Sequence, residues 1–308
     1  MSVFGLRVES PVTLRWTQPD GELESGRGPI RVRLVATAER PSLRHEPLVS
    51  GDDACRLQRL ADGRLVADTC DAGPFVLDAS AGTIDAPCET VSGPEWEHRL
   101  LAYALPYLLG DRGDLILHGA AIDTPNGAVV LLGPSGRGKS TLALAAVAAG
   151  HRVLGDDAVR VTFDPMDPSR VTAWPGPAGA RSICRDTTGR AVGKDSVALA
   201  PSSMCTRSRP IAAVVALTPR SPDGEALRLL SGRDRIGAIL NSTFAEHGAT
   251  ARVYAAIATL ARVVPIAAIS IRDDRRTVQA EVTRALAIAA CGAHHRLPPT
   301  STRGEVTK

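Results

Sequence analysis

Residues Gly133-Pro134-Ser135-Gly136-Arg137-Gly138-Lys139-Ser140-Thr141 satisfy the pattern G-x-x-x-x-G-K-[ST] in full. Glycine lets successive backbone N–H groups turn inward on phosphate oxygens, because no Cβ obstructs their approach. A lysine after the loop supplies a point charge for the β- and γ-phosphates, and the hydroxyl that follows can ligate Mg2+. The loop therefore predicts binding of ATP with Mg2+. Lys139 serves the terminal phosphates, Ser140 the metal, and Thr141 lies near the α-phosphate.

A second group of residues decides what such a loop is used for. Asp156-Asp157 follows Val153-Leu154, soon after the helix that the loop opens. If that short strand lies beside the strand ending at Leu132, both carboxylates leave the sheet at its carboxyl end, where ligands of open α/β sheets bind. Neighbouring residues at a strand end point in different directions, so one acid can serve a metal and the other an incoming hydroxyl. Asp156 is expected in the metal shell and Asp157 as the base that orients or deprotonates an acceptor alcohol. The reverse order stays open.

The positioning elements follow from periodicity. Ala128–Leu132 is an apolar strand feeding the loop, and Ser140–Ala149 is a helix of Leu and Ala stopped by Gly150. Leu115–Leu117 is expected to pair with Ala128–Leu132 across the turn residues 123–127. Strands at Ile211–Leu217 and Ile266–Ile271 alternate with helices at Ala249–Ala261 and Thr277–Ala289, the order of an α/β layer. Before Pro87 the pattern is different. Ile30, Val32 and Leu34 alternate with Arg31 and Arg33, and turns fall at 61–63 and 81–82. Glu95–Leu109 reads as a helix kinked or ended by Pro106. The expected layout is a β-rich N-terminal domain over 1–94, offering a docking surface for a substrate, an α/β catalytic domain over 95–290 and a flexible tail over 291–308. His294-His295 falls in that tail and receives no role.

The bulk numbers narrow the partners. Of 308 residues 44% are hydrophobic but only 3% aromatic, so the core must be aliphatic. A net charge of +3, from 36 basic and 33 acidic residues, recommends neither nucleic acid nor an anionic membrane. The six cysteines form no C-x-x-C pair and read as buried thiols. Residues 1–16 lack a basic region followed by a long apolar run, and no stretch approaches eighteen apolar residues. The expected place is the cytoplasm, and homo-oligomerisation is left open.

At this point four features line up. His118-Gly119, fifteen positions before Gly133, the loop itself, Gly150-His151-Arg152 and Asp156-Asp157 resemble the catalytic core of HPr kinase/phosphorylase, in register across forty residues. The resemblance implies a P-loop catalytic domain like the HPr kinase C-terminal domain, which is PEP carboxykinase-like. It implies nucleotide binding by Gly133–Thr141, catalysis by His118, Lys139 and Asp157, and magnesium at Ser140. The role of His118, electrostatic or hydrogen-bonding close to the phosphates, rests on the resemblance alone.

The departures point away from a bifunctional HPr enzyme. No Glu occurs between Asp157 and Glu225, and residues 174–181 read Trp-Pro-Gly-Pro-Ala-Gly-Ala-Arg where the family has a glutamate-bearing segment. The opening residues Phe4–Pro11 and the β-rich leader resemble HPr-kinase-related proteins of modified-peptide pathways, lasso peptide kinases included. This implies an ATP-dependent serine kinase acting on a peptide or protein, such as a ribosomal precursor. A nucleotide-binding sensor without kinase activity and a kinase of small-molecule hydroxyls are the alternatives. Arg181 is either a holder of an acceptor carboxylate or phosphate, or an ordinary surface arginine.

Overall fold

The alternation before Pro87 folds as a seven-stranded sheet in the computed structural model, which describes residues 1–36, 55–69, 72–88, 91, 93–185, 191–221, 227–244, 251–272 and 277–292. Its strands are Ser2–Val3 (β1), Leu6–Glu9 (β2), Ile30–Val35 (β3), Arg56–Arg59 (β4), Leu65–Asp68 (β5), Pro74–Asp78 (β6) and Thr83–Pro87 (β7), ordered β1-β2-β3-β7-β6-β5-β4. Period-2 patterning is literal here: Ile30 and Val32 are buried while Arg31 and Arg33 face water. The turns at 61–63 and 81–82 join antiparallel pairs, β4 with β5 and β6 with β7.

Helix follows over Gly93–Arg99 (α1), a π turn over Leu100–Ala104, and Leu105–Asp111 (α2). The chain runs through Pro106 instead of ending there. Proline cannot donate to the carbonyl four residues back and its ring crowds that turn. The wider π register just before it absorbs the misfit, with the Leu105 N–H bonding the Leu100 carbonyl. Trp96, Leu100, Leu101, Leu105 and Leu108 bury into the same core as Leu6, Ile30, Phe75, Leu77 and Ile84.

The second sheet contains Leu115–Leu117 (β8), Gly119–Thr124 (β9), Gly127–Leu132 (β10), then after helix Lys139–Ala148 (α3) the strands Val153–Gly155 (β11), Val159–Phe163 (β12) and Val171–Trp174 (β13). Gly179–Arg185 (β14) and Ala191–Ala198 (β15) form a separate hairpin. Arg209–Leu217 (β16), Arg228–Leu229 (β17), helices Gly232–Leu240 (α4) and Ala251–Val263 (α5), strand Ile266–Ile269 (β18) and helix Val278–Gly292 (α6) complete it. The nine-stranded order is β11-β9-β10-β16-β13-β12-β8, with β18 beside β16 and β17 beside β18. Here β10, β16 and β18 run parallel. Val129 and Leu131 pack on the α3 and α6 side, whereas Val130 and Leu132 pack on the α5 side. The strand is buried on both faces, which explains its uninterrupted apolar run.

Two expectations are corrected. Leu115–Leu117 does not pair with Ala128–Leu132: the partner of β10 across the turn is β9, and β8 pairs with β12. Nor does the strand at 153–155 lie beside β10, because β9 stands between them. A Gly-Ala-Ala start hides β9 from a reading based on β-branched residues. The cysteines are also mixed: Cys55 and Cys205 are buried, but Cys88 is exposed. His294-His295 lies outside the described residues, as does the side chain of Arg181. Residues 291–292 belong to α6. Among the described residues no helix is long and apolar enough to cross a membrane.

The two sheets are joined by polar and aromatic contacts. The Phe4 N–H donates to the Pro175 carbonyl at 2.6 Å, and the Ala178 N–H to the Trp16 carbonyl at 2.7 Å. The Trp174 ring packs flat against Gly5 and the Trp16 ring against Gly179, each leaving no room for a Cβ. Arg160 on β12 has no exposed surface. Its Nη1 donates to the Phe4 carbonyl at 2.9 Å, and its Nη2 to Glu24 Oε2 at 2.5 Å and Asp114 Oδ1 at 3.3 Å. Arg27 also pairs with Asp114.

Candidate functional site

Strand β10 ends at Leu132 and the chain passes through 133–138 into α3, the strand–loop–helix context that a phosphate loop needs. Gly133, Gly136 and Gly138 have φ of 139°, 81° and 104°, values that favour glycine. Gly138 is the N-cap of α3, and no side chain caps the first turn. Its N–H groups are therefore free of side-chain competition for an anion. Lys139 is buried, and its Nζ donates to the carbonyls of Gly133 at 2.6 Å and Pro134 at 3.4 Å. Pro134, Ser135 and Gly136 are exposed, Arg137 and Ser140 are half-buried, and Thr141 faces water.

A Cβ at Gly138 would stand 2.7 Å from Ile271 Cδ1 and 3.4 Å from Arg220 Nη2, at a φ that strains any L residue. Gly138→Ala is accordingly expected to weaken binding of a fluorescent ATP analogue about tenfold, since such strain costs about 1–3 kcal/mol. Titration against the unsubstituted protein measures this. Arg220, from the end of β16, thus borders the loop; an isolated Pro-Arg after a strand gives no motif by which to find it.

The acids come to the same edge by a different route from the one expected. Strand β11 lies antiparallel to β9, Gly155 level with Ala121, and β9 pairs Gly119 with Leu132 of β10. The chain then turns over 156–158 from the β9 neighbourhood to that of β8, passing His118 between those strands. The Gly119 N–H donates to the Asp157 carbonyl at 3.3 Å. Asp157 makes this turn with φ of 66°, a left-handed conformation that Asp tolerates better than most residues. Both Asp156 and Asp157 are buried. His118 donates its backbone N–H to Ser242 at 2.5 Å, and its ring lies 5.7 Å from that of Phe244.

Burial acts to raise the pKa of Asp157, but the hydrogen bond to His98 and the charges of His98, His118 and Lys139 outweigh it. The carboxyl is held at about 2, below its ordinary 3.8. His118 and Lys139 thus both act on Asp157 in the direction that favours its ionised form. His98 is the residue that sequence reasoning missed: its Nε2 stands 2.8 Å from Asp157 Oδ2. A lone histidine in the short helix Gly93–Arg99 carries no spacing signal.

Among the described residues no three His, Cys, Asp or Glu side chains converge to hold a metal by themselves. Ser140 at the start of α3 and Asp156 just after β11 carry oxygen donors of the type that Mg2+ takes singly beside phosphate oxygens and water. The uncapped helix start and the three positive-φ glycines fit a phosphate chain.

The fold and site define a mixed α/β protein of several sheets with a glycine-rich loop between a central strand and its helix. No family model matches the chain, and no curated protein matches it. Among solved structures, the HPr(Ser) kinase/phosphatase from Coxiella burnetii is similar at a TM-score of 0.31 and 12% identity, over 55% of this chain and 91% of that one.

Proposed function

We propose that this chain is an ATP-dependent kinase that transfers the γ-phosphoryl group to a serine-type hydroxyl of a peptide or protein, such as a ribosomal modified-peptide precursor. The observation that carries the reading is geometric. Strand β10 ends at Leu132 where the loop begins, Gly119 of β9 pairs with Leu132, and the Gly119 N–H donates to the Asp157 carbonyl at 3.3 Å, so the loop and the buried Asp157 share one edge of the sheet.

In this reading Gly133–Thr141 wraps the triphosphate with backbone N–H groups and the start of α3, and Lys139 meets the β- and γ-oxygens. Ser140 and Asp156 would hold magnesium, which when bound neutralises charge on those oxygens. His118 adds a polar contact near the phosphates. The bond from the γ-phosphorus to the bridging oxygen breaks as the bond to the acceptor oxygen forms, and the hydroxyl proton passes to Asp157. A carboxylate with a pKa of about 2 is a weak proton acceptor at neutral pH. Asp157 therefore works chiefly by accepting a hydrogen bond that aligns the hydroxyl, and takes the proton late, as a loose transition state permits. The β2–β3 connection reaches His98 through Trp16, and the N-terminal sheet would offer the peptide a docking surface. Cytoplasmic ATP and Mg2+ would supply it.

The test incubates the full chain with Mg2+ and γ-labelled ATP against serine peptides and their alanine counterparts. Label on the serine peptides alone is the expected result. Slow phosphate release with no labelled peptide would instead favour a nucleotide sensor, and label confined to small alcohols a small-molecule kinase.

A further inference from the structure

His98 lies in α1, outside the stretch that carries the loop and the acids, and only 3% of its surface is exposed. Its Nε2 sits 2.8 Å from Asp157 Oδ2. An ionised carboxylate only accepts, so the imidazole Nε2 carries the proton of this bond. Two aromatic rings hold the plane of the imidazole edge-on: Trp16 at 5.7 Å and 69°, Tyr103 at 5.6 Å and 73°. Trp16 is fixed in turn, because its backbone N–H donates to Glu97 and its ring covers Gly179.

This arrangement is a poor solution for packing alone. Leucine would fill an apolar pocket at 98 without the buried Nδ1, which has no hydrogen-bond partner among the described residues. What the ring does provide is one fixed donor aimed at one carboxylate oxygen.

The geometry points to His98 as a positioning residue for Asp157: its Nε2–H holds Oδ2 in place, so that the other oxygen, Oδ1, is presented to the acceptor hydroxyl. The left-handed turn at Asp157 and the His98 contact fix the same carboxylate from its two ends. The connection between β2 and β3 thereby enters the chemistry, since Trp16 sets the ring that sets the acid. The inference rests on the kinase reading of the cleft.

Two variants of the full chain test it. His98→Leu removes the donor and keeps an apolar filler, whereas His98→Gln returns a side-chain N–H near the lost Nε2. His98→Leu is expected to lower kcat for transfer of label from γ-labelled MgATP to a serine peptide about 100-fold, as misplacement by about 1 Å can, with affinity for a fluorescent ATP analogue within about twofold. His98→Gln should recover most of the loss. A leucine variant at the unsubstituted rate, or a glutamine variant equally impaired at an unchanged melting temperature, overturns the assignment.

Failure of the kinase reading has a different signature, in that the unsubstituted protein labels no serine peptide from γ-labelled ATP. Nitrogen NMR of the histidines then decides alone. An Nε2-protonated His98 whose resonance moves in Asp157→Asn supports the pairing; an Nδ1-protonated ring, or one indifferent to that change, refutes it.

Discussion

Asp157→Asn should slow phosphoryl transfer by about 10²–10⁴-fold, the range supplied by a positioned proton acceptor, while ATP affinity stays within a few-fold. The amide keeps the size of the carboxylate. Its oxygen can still accept from His98, which leaves the NH2 group, a donor, where the hydroxyl needs an acceptor. Undiminished turnover would remove Asp157 from the reaction. The pH dependence has a defined sign. The folded-state pKa of about 2 lies below the ordinary 3.8, so the fold favours the ionised form. That stabilisation is complete above the unfolded value and disappears as pH falls through about 2. The difference in melting temperature between the unsubstituted protein and Asp157→Asn should accordingly shrink between about pH 4 and pH 2. Transfer itself should not fall near pH 4, as it would for an ordinary aspartate.

Arg160→Leu should be the most damaging change to stability, by about 3–5 kcal/mol, the cost of breaking a buried ion pair from one side. Arg160 has no exposed surface and bonds Glu24, Asp114 and the Phe4 carbonyl at once. Leucine fills the space but leaves the Phe4 carbonyl without its donor and takes from Glu24 and Asp114 the fully buried one of their two arginines, the other being Arg27. A fall in melting temperature of roughly 5–8 °C corresponds to that loss in a chain of this size. Arg160→Lys should rescue little, because a single ammonium cannot reach acceptors on three separate segments, at Phe4, Glu24 and Asp114. A leucine variant that melts with the unsubstituted protein would mean that packing replaces the charged cluster without loss.

These two residues differ in how visible they are before folding. The loop at 133–141 and the acid pair announce themselves because backbone geometry and phosphate chemistry fix residue type at fixed spacing. The helix after the loop and the strands β10 and β16 are legible for a related reason, since burial on both faces demands unbroken apolar runs. Arg160 sits in Val-Arg-Val-Thr-Phe and reads as the polar face of a strand; only the tertiary fold turns that face inward onto Glu24 and Asp114. His98 is hidden the same way, its partner lying 59 residues away. The neighbour of β11 was misassigned because register between strands depends on a strand, β9, whose Gly-Ala-Ala start has no propensity to declare it.

The packing of Phe4, Trp16 and Gln18 against 174–179 bears on how the protein is made. Gln18 bonds the Gly176 carbonyl across 158 positions of chain, and Arg160 bonds Phe4 across 156. At about 5–20 residues per second a ribosome delivers the second partner roughly 8–30 s after the first. During that interval the aromatic side chains near the start have no lasting cover, which makes nascent chains a natural client for chaperones.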